Sequence, residues 1–195
     1  MCLVVAAVFG YFFYEYISFQ SLESQCRQRS LQRITEAGKI ITIYFVTSQS
    51  GRDFNELERD LSALSNTESV TITSATDALA SFKQRHVGDT LALQALDELG
   101  MNPFGPSIMI TFRDFSQLSA SHDAVIEQIK NLLAKHSLSA DKIMDRVENT
   151  LIGIETYEKK SFGSNTLLYS SPKLYYQMKQ ILKECTTEES FPPTG

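Results

Sequence analysis

The residues best equipped for chemistry are three histidines, two acid-bearing clusters and three cysteines, and their spacing argues against catalysis or metal binding. His86, His122 and His136 are scattered, and no two stand at the i, i+4 spacing that aligns metal ligands on a helix. They are expected on the surface or at helix ends. Ser121-His122-Asp123 has the residue types of a catalytic triad, but adjacent residues diverge, whereas triad members converge from separate segments. The reading is a helix cap. Asp141, Asp145 and Glu148 are spaced to share one helical face, expected to be solvated. Gly105-Pro106-Ser107 lacks the lysine and extra glycines of a phosphate cradle. Gly51-Arg52 makes a turn without the row of amides that an anion site needs. No catalytic residue, metal or cofactor follows, and the chain reads as a non-enzyme.

Cys2, Cys26 and Cys185 match no disulfide framework or zinc spacing. Two states stay open: Cys26 paired with Cys185 outside the cytoplasm, or three free thiols. The 195 residues carry 18 basic and 23 acidic side chains, a net charge of −5. With no basic surplus to displace counterions, nucleic acid is excluded as a partner. The apolar share of 43% and charged share of 21% are those of a folded domain rather than a disordered chain.

The positioning elements begin with an apolar run, Met1 to Tyr14, that continues past Glu15 into Ile17–Phe19. Tyr11, Tyr14 and Tyr16 stand where an interfacial belt would lie, and the polar, mildly basic stretch from Gln20 to Arg33 follows. Residues 1–20 are expected to be a retained transmembrane anchor, with membrane lipid as its partner, and 21–39 a neck. No cleavage site is visible around residues 15–23.

Beyond the neck the hydrophobic period alternates. Ile40–Val46 reads as a strand, Phe54, Leu57, Leu61 and Leu64 as a helical stripe, and Val70–Thr73 as a half-buried strand. Ser74 and Thr76 are suited to cap a helix through Ala78, Leu79 and Phe82, and a second helix spans Thr90–Leu99 with Gly100 as its stop. Leu91, Ala95, Leu96 and Leu99 are expected on its inner side. Ile108–Phe112 is a third strand, Val125–Leu133 a helix, and Leu151–Tyr157 a fourth strand after a stretch, 137–149, expected to add a helical turn or two. The order is that of two βαβ halves interrupted by helices, which predicts an α+β, ferredoxin-like split βαβ core over 40–158 with an inserted helical lobe at 75–104. A C-terminal extension, 159–185, carries a helix at 172–185 with Leu174, Met178, Ile181, Leu182 and Cys185 on one face, and 186–195 reads as a disordered tail.

Three segments carry a family resemblance: ITIYF at 41–45, VTITSATDALASFKQRHVGD at 70–89, and MNPFGPSIMITFRD at 101–114. In these the chain resembles the extracytoplasmic domain of the cell-division permease FtsX family, with the anchor similar to the family's first transmembrane helix. The resemblance implies a permease subunit of the bacterial inner membrane whose main domain is extracytoplasmic. It further implies an FtsE-like ATPase partner and a non-catalytic lobe that binds a coiled-coil peptidoglycan hydrolase or its activator. The porter-like core comes with it, as do the lobe's apolar residues Phe82, Leu91, Leu93, Leu96, Leu99, Met101 and Phe104, of which Phe82, Leu93, Met101 and Phe104 are the partner-binding candidates.

A two-helix lobe needs a small core of its own, so most of Phe82, Leu91, Leu96 and Leu99 are expected to be buried, and Leu93, Met101 and Phe104 exposed. The family's later transmembrane segments have no counterpart here, and the chain is expected to be a fragment or reduced relative. Against the permease reading stands a single-anchor adaptor or sensor, a homodimer formed through its sheet or last helix.

Overall fold

The computed structural model describes residues 2–159, 180–183 and 185. By packing, the chain divides into a unit of residues 36–150 and a second of 1–35 with 151–195.

In the second unit, α1 (Cys2–Gly38) is one continuous helix of 37 residues through the apolar run and the neck, about 55 Å long. Its apolar stretch Cys2–Tyr14 covers only about 20 Å of a bilayer core about 30 Å thick. Among the described residues no helix is long and apolar enough to cross a membrane. Cys26 forms a disulfide with Cys185, their Cα atoms 5.5 Å apart, so of the two states open from sequence the paired one is adopted. Near Cys185, Leu182 is buried but Ile181 is exposed, which removes Ile181 from the inner face expected for that helix. Leu174 and Met178 lie outside the described residues, as does the tail.

The unit of 36–150 is a four-stranded sheet with helices. β1 (Ile40–Phe45), β2 (Thr67–Thr73), β3 (Ser107–Phe112) and β4 (Ala140–Met144) lie in the order β2-β3-β1-β4, every neighbouring pair antiparallel. Period-two alternation buries one face. Ile41 sits opposite Ile110 and Ile43 opposite Ile108, while Val70 and Ile72 flank the same two β3 residues from the other side. These four isoleucines are wholly buried. The opposite face keeps Tyr44 and Met109 in partial contact with water.

Three helices supply the cover. α2 (Asn55–Ser62) buries Leu57 and Leu61 at i, i+4 spacing, and α6 (His122–Lys135) buries Val125, Ile129 and Leu133 at the same spacing. α2 packs on β2 and α6, and the short α5 (Phe115–Ala120) packs on α6. Of the three, α5 has a side-chain cap: Asp114 accepts from the Ser116 and Gln117 amides. α6 stops in a Schellman turn, Leu138 N–H donating to Leu133 O and Ser137 N–H to Ala134 O, with Ser137 at φ 54°.

The fourth strand departs from expectation. Leu151–Tyr157 is not a strand but part of α7 (Val147–Lys159), and the edge strand is Ala140–Met144. Ile152 and Ile154 alternate with Gly153 and Glu155, which imitates a strand. The stripe that folds is Val147, Thr150 and Ile154, at helical spacing, with Val147 and Thr150 buried. In β4 only Ile143 and Met144 are large and apolar beside Asp141 and Lys142, the charged composition of an edge strand.

Candidate functional site

The lobe is the excursion between β2 and β3. Ser74 caps α3 (Ala75–Arg85): its Oγ accepts from the Asp77 amide at 3.1 Å and donates to the Asp77 carboxylate at 2.7 Å. Asp89 caps α4 (Thr90–Glu98) by accepting from the Ala92 amide. Gly100, at φ 63°, ends α4 in the left-handed region, as its position predicts.

The return to the sheet explains the MNPFGPS motif residue by residue. Asn102 Nδ2 donates to Ala75 O at 2.8 Å while its Oδ1 accepts from the Phe104 amide at 3.0 Å, tying the return segment to the start of α3. Gly105 passes the end of β1 so closely that a Cβ there would overlap the Phe45 carbonyl oxygen. Pro106 O then accepts from the Phe45 amide at 3.0 Å, extending the β1–β3 ladder by one bond. The strap therefore pairs with the end of β1 before it becomes β3.

The lobe has little core. Among its apolar residues Ala75 and Leu96 are fully buried; Leu79, Phe82 and Leu93 are half-buried. The Phe82 ring stacks at a tilt on Phe104, centroids 5.1 Å apart, and on His86 at 4.4 Å. Of the four candidate partner contacts, Met101 stands free in solvent at 73% exposure, whereas Phe82, Leu93 and Phe104 are half-buried. The expected exposure of Leu93 and Phe104 is thus corrected. So is the expected burial of Leu91 and Leu99, which are 77% and 57% exposed, and Val87, which sequence reading passed over, is 81% exposed.

Helical geometry gives the reason. Five residues turn a helix through about 140° beyond a full circle, so Leu91 and Leu96 cannot both face inward. Leu96 wins with Ala92 and Leu93 beside it, and Leu91 turns out.

Between the lobe and the corner where β1 meets β4 lies a cleft of about 850 Å³, lined by Tyr44, Phe104, Pro103 and Met144 with Arg85 and Lys142 among its charged groups.

Residues 40–133 match the family of the FtsX extracellular domain. This stretch is an FtsX-family extracellular domain. No curated protein and no solved structure matches the chain. The matched stretch runs from β1 into α6 and takes in the whole lobe; β4, which completes the sheet, comes after it. The family is that of a membrane-anchored component of a cell-division ABC permease, with its domain outside the cytoplasm.

Several titratable groups of the sheet domain sit at structural positions. His86 and His136 are the C-cap residues of α3 and α6, and His122 opens α6. Ser121 takes the N-cap position of α6 expected for it, yet its Oγ bonds back to Gln117 O rather than capping. Asp141, Asp145 and Glu148 do not share a helical face: the first is in β4, the last in α7, and Asp145 lies between, 3.2 Å from His122 Nε2. Arg52 donates to Ser137 O at 2.9 Å and straps its loop to the end of α6. No group of three His, Cys, Asp or Glu side chains suited to a metal is present among the described residues.

One cluster escaped sequence reading. Asp60 of α2 accepts from Lys135 Nζ at 2.6 Å and pairs with His136 Nε2 at 2.9 Å at the end of α6. Hydrogen bonds from these two side chains pull the Asp60 pKa down to about 2. A His–Asp pair of this kind serves hydrolysis only with a nucleophile on the other ring nitrogen. Here Nδ1 faces Glu56 at 3.9 Å, so the cluster is a clamp between α2 and α6.

Proposed function

We propose that this chain is the non-catalytic extracytoplasmic part of an FtsX-like cell-division ABC-transporter permease. It couples a cytoplasmic FtsE-like ATPase to a septal peptidoglycan hydrolase through protein–protein binding. The α1 apolar run and its tyrosines serve as the membrane anchor, in a bacterial inner membrane, and the β2-β3-β1-β4 sheet serves as the ferredoxin-like, porter-like core. The disulfide between Cys26 and Cys185 supports an oxidising, extracytoplasmic location.

The observation that carries the reading is the lobe's surface. Val87, Leu91, Leu99 and Met101 stand in water on one two-helix excursion, and exposed apolar side chains that a partner gathers into one patch make an interaction surface. An amphipathic helix from a coiled-coil hydrolase or its activator, laid on this surface, covers them. The surface is apolar with a flexible methionine, suited to a helix face. The test is capture of such a hydrolase by the purified chain, with Met101→Asp as the discriminating variant.

A further inference from the structure

We propose that the cleft beside the lobe reads charge, accepting the acidic flank of the same partner helix whose apolar face the lobe covers; this rests on the docking role proposed for the lobe. The cleft is of a size that takes several side chains. Its walls are apolar where Tyr44, Pro103, Phe104 and Met144 meet, and its cations come from two different elements, Arg85 from α3 and Lys142 from β4.

The chain is acidic overall, at −5, and three lysines elsewhere in the domain are paired with acids: Lys39 with Glu36, Lys135 with Asp60, Lys83 with Asp97. Among the described residues neither Arg85 nor Lys142 is ion-paired; Arg85 makes only a long bond to Ser81 O in its own helix. Asp141 is the one acid lining the cleft, against two cations. A helix lying with leucines on the lobe projects its flanking residues one turn to the side, where glutamates meet Arg85 and Lys142 and lysines meet a like charge. Two cations beside an acid are too few for a polyanion. Complementary charge of this kind selects partners more than it adds affinity.

The experiment uses the full chain and two stapled helical peptides with one shared leucine stripe, flanked by glutamates in one and lysines in the other, titrated calorimetrically. The glutamate peptide binds about ten-fold tighter at low salt, and the advantage falls toward unity near about 0.5 M salt. Arg85→Glu with Lys142→Glu reverses the preference, thermal unfolding confirming that the variant is folded. Equal affinities, or a preference that the double variant does not change, overturn the inference. Met101→Asp separates the two ideas: loss of both peptides in that variant keeps the docking lobe even if the charge preference is missing. Undiminished binding of both peptides by Met101→Asp, or binding of neither by the native chain, removes the docking lobe and this inference with it.

Discussion

Gly38, the last residue of α1, lies against Thr150 near the start of α7 so closely that a Cβ on Gly38 would stand 2.6 Å from the Thr150 hydroxyl oxygen. It would also come 2.7 Å from the Phe115 ring. The chain thus enters and leaves the sheet domain through one tight contact, and both neighbours are buried. Gly38→Ala forces Thr150 and Phe115 to move and destabilises the domain by about 1–3 kcal/mol, read as a lower urea midpoint with unchanged slope. A midpoint equal to that of the native chain would show that the helices separate freely here.

The Asp60 clamp predicts an acid-sensitive step. Its carboxyl has a pKa of about 2 in the folded chain, below its ordinary value of 3.8, because Lys135 and His136 bond to the ionised form. A depressed carboxyl contributes its stability above its unfolded pKa and loses it as the pH falls through the folded one. The contribution is therefore complete above about pH 5 and fades toward pH 2. Asp60→Asn lowers the melting temperature at pH 7 and flattens the acid limb of the stability curve; parallel acid limbs for both proteins would remove the clamp from the account.

Ser137 holds a left-handed conformation, φ 54°, at the Schellman turn that closes α6. A side chain in that region costs about 1–2 kcal/mol, part of which glycine gives back through its greater freedom when unfolded. Ser137→Gly should raise stability by about 0.5–1 kcal/mol by chemical denaturation. A loss of stability would mean that the Ser137 side chain contributes more than its strain.

Thiol accounting tests the second unit. With Cys26 and Cys185 joined, maleimide labelling of the denatured, unreduced chain should modify Cys2 alone, and labelling after reduction should modify all 3 cysteines. Three labels without reductant would contradict the pairing.

Where a strand's own side chains are apolar and alternating, the chain announced it: Ile41 and Ile43, like Ile108 and Ile110, are read correctly because burial on one face is written into period two. The lobe's place between β2 and β3 was equally legible through Ser74, Gly100 and Asn102-Pro103, whose conformational preferences mark caps and turns. What misled was burial that depends on neighbours. β4 is stabilised by pairing to β1 rather than by its own composition, so Asp141 and Lys142 concealed it. Thr150, a polar residue on an inner face, concealed the helical stripe of α7.

The candidate site shows the same division. Met101 was identifiable because it follows a helix stop and belongs to no stripe. Leu91 and Leu99 were misassigned because a nine-residue helix has two plausible faces and its own sequence does not choose between them. The Asp60, Lys135 and His136 cluster brings α2 to the end of α6 across the fold, a proximity no spacing rule contains.

The most direct trial of the docking lobe is the affinity of the full chain for a coiled-coil peptidoglycan hydrolase, measured for the native protein and for Leu91→Asp with Met101→Asp. Both side chains are already in water, so the fold should lose less than about 0.5 kcal/mol. Burying either carboxylate against an apolar helix face should weaken binding at least about a hundred-fold. Equal affinity of the two proteins would contradict the account.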